Sequence, residues 1–503
     1  MDALFVPLAS LVGASVDQVK LILCLLSAYP LGSVFIRIRS KPAKHAFNIA
    51  ITLFYLFPVL HLYWGFVQLL GDILATYFVA RNVRGPMMPW IVFTLVMGHL
   101  LINHIIRAMN GMSYETVEIS GAQMVLTMKL TTFAWNVWDG NRPTEDLDKW
   151  QLANRVSKFP NLLEFFGYAF YFPGFLVGPY LVFTDYMALI DESLFKDAQG
   201  KTKPGLPVPE GRKRVAYRKM VTGLAFLGLF VFFSGKYNFA ISLEPWFVEQ
   251  SLPYRIAFYQ ICGFFERSKY YALWILTEGA SILTGLGFSG FSASGSSLWE
   301  GAANVDVLSI EFAPSIKVLL DSWNMKTNVW LRECLYKRVT PKGKKAGFRS
   351  SMLTFLTSAV WHGVSGGYYL AFVYAGFVTT ASRLARSNIR TLLLSPEGQP
   401  PTLAKRLYDL GGIFLSMLII NYAATPFMLL DVRKSLAAWS NLGWYGHVIV
   451  GGALLFFYGG GTHFLRRFQP PKPKAKPSSS GTATPLENFT TPPSFDKLIP
   501  PQN

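Results

Sequence analysis

Two short segments of this chain carry side chains able to move a proton and to hold an oxygen. His362 lies in Val360-Trp361-His362-Gly363, inside a charge-free stretch running from Ser351 to Thr380. A titratable imidazole deep in an apolar, membrane-length run is costly to desolvate, so a chain that keeps one there has a use for it. Asn324 stands 38 residues upstream, in Trp323-Asn324-Met325-Lys326-Thr327-Asn328-Val329-Trp330-Leu331. A carboxamide both donates and accepts hydrogen bonds. In a helix Asn324 and Asn328 would share a face, four residues apart, flanked by Trp323 and Trp330. Alone, that segment reads as an interfacial amphipathic helix with aromatic anchors. Paired with Trp361-His362-Gly363, it points to chemistry inside a bilayer.

The elements that must position these residues are apolar helices. Hydrophobic residues make up 51% of the 503 and charged ones 15%, well under the roughly 25% of soluble domains. Val215–Ile241, Gly411–Leu430 and Trp444–Phe464 are long enough to cross a bilayer, as are Val19–Ile38, Phe47–Leu70, Trp90–Ile106 and Leu162–Val182. The expected fold is all-α and polytopic, with about ten or eleven transmembrane helices, broken or re-entrant ones included, around a buried reaction chamber. A single membrane catalytic domain is expected over residues 1–468. Residues 469–503, rich in Pro, Lys, Ser and Thr, are expected to form a disordered cytosolic tail.

The stretch around His362 poses a topological problem. Basic segments flank it on both sides, Lys326–Arg349 and Arg383–Arg406. As one helix it would measure about 45 Å against a hydrocarbon core of about 30 Å. Gly363, Gly366 and Gly367 could break it just past His362, which would let both basic segments share a side. The alternative is one long tilted helix.

The net charge of +18 fits the positive-inside bias of a polytopic protein, and nothing in the chain resembles a nucleic-acid-binding module. Cys24, Cys262 and Cys334 are scattered without metal-ligand spacing and read as packing residues. His99 and His104 are five apart with no acid beside them in sequence, so no metal site is expected. His45 lies in a basic loop, and His447 and His463 lie toward the ends of the last apolar run.

Trp323-Asn324, Trp330-Leu331 and Trp361-His362-Gly363, in that order within a polytopic chain, resemble the membrane-bound O-acyltransferase family. Further segments are similar to its lysophospholipid acyltransferase branch. They are Trp135-Asn136-Val137-Trp138-Asp139-Gly140, Phe175-Leu176-Val177-Gly178-Pro179, Lys269-Tyr270-Tyr271-Ala272-Leu273-Trp274 leading to Glu278-Gly279-Ala280, and Asn304-Val305-Asp306. The resemblance spans roughly residues 20–465, and the Pro-rich tail is similar to fungal members.

The resemblance implies transfer of a fatty acyl group from acyl-CoA to the free hydroxyl of a lysophospholipid in the endoplasmic reticulum membrane. His362 would be the general base and Asn324 its partner, either donating to the developing oxyanion or orienting the reacting groups. Acyl-CoA is then a cosubstrate, and no cofactor or metal is required. Trp323, Asn328, Trp361, Asp139, Glu278 and Tyr271 are candidate substrate contacts. Asp139 and Glu278 could face a choline or ethanolamine headgroup, or fix the fold through a basic partner. Lys337, Arg338, Lys342, Lys344, Lys345 and Arg349 are candidates for the CoA phosphates, or simply a solvated positive-inside loop. A sterol, diacylglycerol or peptide acceptor would keep the fold and change the substrate. A transporter or scramblase with His362 as proton relay is the rival of another class. Membrane lipids surround the chain, and a monomer or homodimer is expected.

Overall fold

The computed structural model describes residues 2–112, 116–195, 208–292, 294–340, 347–395 and 399–469. Helices account for nearly all regular structure there, with one two-stranded hairpin pairing Gly290–Phe291 with Ser297–Leu298. Five helices among the described residues have the length and apolar character to cross a membrane: Val16–Phe35, Met88–Met109, Arg212–Phe233, Leu403–Leu429 and Tyr445–Arg466. Tyr63–Asn82, Ile119–Gly140, Leu252–Thr284 and Gly366–Ala385 are further long helices, each of at least 20 residues. The protein is thus all-α and polytopic.

Local chemistry explains several boundaries. Ser15 accepts from the Gln18 backbone N–H at 3.2 Å while the Gln18 side chain accepts from the Ser15 N–H at 3.0 Å, a reciprocal cap that starts Val16–Phe35. Two apolar runs are not single helices. Phe47–Leu70 is interrupted by a π-helical turn over Tyr55–Val59 containing Pro58, then by His61 at φ 56°, before Tyr63–Asn82 begins. Leu162–Val182 breaks into Leu162–Ala169 and Phe172–Phe175, ahead of the Gly178–Pro179 bond. Proline removes a ladder donor and crowds the preceding turn, so apolar length alone overstates helix length here.

The chain divides into two compact units. The first comprises Met1–Asn238, Phe264–Val305 and Val360–Val364. At its centre is Ile119–Gly140, buried on almost every face and packed along Met88–Met109 and Tyr63–Asn82. Lipid gives apolar helices no hydrophobic reason to associate, so close packing and interhelical hydrogen bonds must hold them. Phe133 supplies the first, its ring 4.6 Å from Phe165 and 5.4 Å from Phe183. Lys129 supplies the second. Its buried ammonium donates to the carbonyl oxygens of Tyr168 and Ala169 and sits 4.7 Å from the Tyr168 ring centroid. The Tyr168 hydroxyl donates back to the Lys129 carbonyl at 3.1 Å. The last carbonyls of Leu162–Ala169, which have no partner within their helix, are thereby satisfied.

The second unit comprises Phe239–Gly263, Asp306–Ala359 and Ser365–Asn503. Its packed helices include Gly366–Ala385, Leu403–Leu429, Val432–Asn441 and Tyr445–Phe456. Tyr374, Tyr422, Trp439 and His447 form an aromatic cluster, with Tyr422 Oη 2.6 Å from His447 Nδ1 and Trp439 Nε1 donating to the Tyr422 carbonyl at 3.0 Å. A tight corner at Leu430, φ 64°, is closed by the Asp431 N–H donating to Leu429 O at 2.7 Å. The Gly367 N–H donates to Leu430 O at 2.7 Å, and a Cβ on Gly367 would lie 2.7 Å from the Leu430 Cα. Only glycine permits that approach.

Candidate active site

His362 is the last residue of the Phe348–His362 helix. Gly363, at φ 143°, ends the helix, and Gly366–Ala385 begins three residues later. The charge-free stretch is therefore two helices with a break just after the histidine, as its glycines suggest. A helix end in an apolar interior leaves carbonyls without partners. Here the Val360–Val364 segment belongs to the first unit, and that unit fastens it. The Trp361 indole Nε1 donates to the Met124 carbonyl of the central helix at 3.0 Å. His104 Nε2, on Met88–Met109, donates to the Trp361 carbonyl at 3.2 Å. The Trp361 and His362 rings meet edge to face, centroids 4.7 Å apart.

Asn324 belongs to the second unit. It is the N-cap of Met325–Leu331 in a left-handed conformation, φ 44° and ψ 53°. Its carbonyl accepts the Asn328 N–H at 3.0 Å, while its side chain makes no cap bond to its own helix. The expected shared helical face of Asn324 and Asn328 does not form, because the chain turns at Asn324 instead of continuing a helix through it. Asn328 Nδ2 donates to the Leu320 carbonyl at 3.0 Å, satisfying the end of Ile316–Ser322. Trp323 is half-buried between the two helices, and Trp330 is buried. Left-handed non-glycine residues are uncommon, with Asn among the few that tolerate them, so this backbone selects asparagine independently of its amide chemistry.

The remaining candidates have identifiable neighbours. Asp139 is buried and accepts from Arg142 Nη1 at 3.1 Å. Glu278, also buried, is straddled by Lys219 Nζ at 2.9 and 3.0 Å. Tyr271 is buried, with Arg267 Nε donating to its hydroxyl at 3.2 Å and the Phe226 ring edge-on at 5.3 Å. In the second unit, Lys337 pairs with Glu333 at 2.7 Å, and Arg338 Nε donates to the Glu333 carbonyl at 3.1 Å. Arg349 is exposed. Lys342, Lys344 and Lys345 lie outside the described residues, as does nearly all of the tail, residues 470–503.

Three polar features were not anticipated from the sequence. His104 sits behind Trp361. Lys129 stands mid-way along a helix whose one other charged residue, Asp139, is at its far end, a signal visible in the sequence itself. The third is a network in the first unit: His99 Nδ1 lies 2.7 Å from Asp72 Oδ1, Gln123 Nε2 donates to Asp72 Oδ2 at 3.0 Å, and Asn103 Nδ2 donates to Gln123 Oε1 at 2.7 Å. His99 thus has an acidic neighbour after all, supplied by another helix. No group of three or more His, Cys, Asp or Glu suited to a metal occurs among the described residues.

Comparison with known proteins adds to this geometry. A lysophospholipid acyltransferase of Schizosaccharomyces pombe is 40% identical over 458 residues, covering 91% of this chain and 89% of its own length. A lysophospholipid acyltransferase of Saccharomyces cerevisiae is 37% identical over 477 residues, 91% of this chain and 77% of its own length. The human membrane-bound glycerophospholipid O-acyltransferase 1 is 30% identical over 456 residues, 88% and 89% of the two chains. The membrane-bound O-acyltransferase family model matches residues 78–425, a span that contains Asn324, His362 and the helices that anchor Trp361. With that match and these relatives, the chain belongs to the membrane-bound O-acyltransferase family, as a multi-pass membrane enzyme.

Proposed function

We propose that this protein transfers a fatty acyl chain from acyl-CoA to the free glycerol hydroxyl of a lysophospholipid, with His362 as general base. The observation that carries the reading is the pair of fungal lysophospholipid acyltransferases, each aligned over nine-tenths of this chain. The placement of His362 at a broken helix end within an apolar segment supports its role.

A glycerol hydroxyl is a weak nucleophile at neutral pH. The neutral His362 imidazole removes its proton as the oxygen attacks the thioester carbonyl carbon. Asn324 supplies an amide, either to the oxyanion that forms or to the orientation of the acceptor. The carbon–sulfur bond then breaks, and the imidazolium returns its proton to the departing thiolate. No acyl-enzyme is formed, and no cofactor or metal takes part. The apolar surroundings limit competing hydrolysis of the thioester.

Trp323, Asn328, Trp361, Asp139, Glu278 and Tyr271 are proposed to line the path of the acceptor or to brace it. Lys337, Arg338, Lys342, Lys344, Lys345 and Arg349 are proposed to meet the phosphates of CoA from the cytosolic side. The catalytic region is residues 1–468, with residues 469–503 a cytosolic tail. The protein acts in the endoplasmic reticulum membrane as a monomer or homodimer, on membrane lipids and not on nucleic acid.

The test is CoA release by the purified protein given oleoyl-CoA and lysophosphatidylcholine, with product phospholipid followed by mass spectrometry, for wild type and His362→Ala. Phospholipid from wild type and none from the folded variant is the expected result. Activity in both would remove His362 from the base role. No release with any lysophospholipid, followed by activity on a sterol, diacylglycerol or peptide, would replace the acceptor. Lipid flux without thioester cleavage would overturn the reading.

A further inference from the structure

We propose that His104 is a positioning residue for acyl transfer: its Nε2–H fixes the Trp361 carbonyl and, through the shared peptide, the orientation of the His362 imidazole. The proposal rests on His362 as the base. His104 lies on Met88–Met109, a different helix from the one it serves, and is buried. Its Nε2 is 3.2 Å from Trp361 O. A carbonyl only accepts, so Nε2 carries the proton.

The need for a donor follows from the break at Gly363. Once the helix stops there, its last carbonyls lose their intrahelical partners, and a bilayer interior offers no water in their place. Trp361 O is one of these. It is joined by one peptide bond to His362, so fixing that oxygen fixes the plane from which the His362 side chain departs. The other side of Trp361 is held by its indole bond to Met124 O. The residue before the base is therefore held at both its main chain and its side chain, by two different helices. Misplacing a base by about 1 Å can cost about a hundredfold in rate, whereas ground-state substrate binding need not change.

The experiment uses the whole protein in lipid nanodiscs, with oleoyl-CoA and lysophosphatidylcholine varied in turn. Three variants are compared: His104→Phe, which keeps a ring without a donor; His104→Gln, whose amide nitrogen reaches close to the Nε2 position; and His104→Asn, whose amide falls short. The expected result is a fall in kcat of about tenfold or more for His104→Phe and His104→Asn, with both KM values nearly unchanged, and recovery to within a few-fold of wild type for His104→Gln. The pH dependence of kcat/KM in His104→Gln should match wild type, because the base is elsewhere. Wild-type kcat in folded His104→Phe or His104→Asn would overturn the proposal. So would a His104→Gln variant as impaired as His104→Asn, or one whose pH profile had lost the limb belonging to the base. If His104→Phe fails to fold, the Gln and Asn variants decide. His362→Ala is measured alongside. Activity in that variant would sink the base assignment, a failure distinct from any outcome at His104.

Discussion

The Trp361 indole nitrogen donates to the main-chain oxygen of Met124 at 3.0 Å, joining residues 237 positions apart in sequence. The Met124 carbonyl keeps the N–H of its own helix four residues on, so the indole supplies a second bond to it, one worth the modest net energy of an ordinary hydrogen bond. Replacing Trp361 with Phe keeps an aromatic ring and removes the donor. We expect the variant to lose about 0.5–1.5 kcal/mol of stability and to lower kcat more than it raises either KM. Melting in detergent and steady-state kinetics measure the two effects. An unchanged kcat would separate the indole bond from the chemistry.

Asn324 combines two properties that substitution can separate. Its backbone is left-handed and its side chain is an amide. Asn324→Gly keeps the first and removes the second. Asn324→Ala removes both, at a backbone cost of about 1 kcal/mol. If the amide serves the reaction, the glycine variant should fold as well as wild type and lose about a hundredfold or more in kcat. A glycine variant with near-normal kcat, beside an impaired alanine variant, would reduce Asn324 to a backbone role.

Lys219 and Glu278 form a pair whose acid is 1% exposed. Removing the cation from such a pair typically costs about 3–5 kcal/mol, because the buried charge loses that partner. Lys219→Met should therefore reduce the yield and melting temperature of folded protein. Adding Glu278→Gln should restore much of both, since the amide needs no counter-ion. If instead Glu278→Gln alone left melting unchanged and raised KM selectively for choline and ethanolamine lysophospholipids, the acid would be a headgroup contact.

Gly167 faces the hydroxyl of Tyr186 and the ring of His45, which are hydrogen-bonded at 2.7 Å. A Cβ there would come within 2.6 Å of His45 Nδ1. In an open helix, replacing Gly with Ala would gain about 1 kcal/mol. Here the overlap outweighs that gain, and Gly167→Ala should lose about 2 kcal/mol net. A raised melting temperature would show that the His45–Tyr186 pair yields easily.

Some of this was legible in the chain and some was not, for definable reasons. His362 stood out because no other charge or imidazole shares its apolar run, and the break after it was readable from Gly363, Gly366 and Gly367. Asn324 was identified but its geometry was not. Asn-Met-Lys-Thr-Asn favours a helix only weakly, and local propensity does not reveal a left-handed turn. The Phe47–Leu70 run looked continuous because hydropathy averages over Pro58 and the turn at His61. Asp72 and His99 are 27 residues apart, and His104 and Trp361 are 257 apart. Spacing rules cannot reach contacts of that kind, which arise only when helices pack.

Lys129 has a consequence for how the protein is made. Its ammonium is satisfied by carbonyls 39 and 40 residues later in the chain. The Ile119–Gly140 helix therefore leaves the ribosome with a charge whose acceptors are still inside the exit tunnel. Hydrocarbon penalises such a helix by about 2.5–3.5 kcal/mol at the bilayer centre. We therefore expect the helix to stay at the insertion machinery until Ala169 has emerged and then to partition together with its acceptor. Stalled chains in which Gly140 has left the ribosome but Ala169 has not should crosslink Lys129 to the insertion machinery. Chains extended well beyond Ala169 should lose that crosslink, and a Lys129→Leu chain should lose it early.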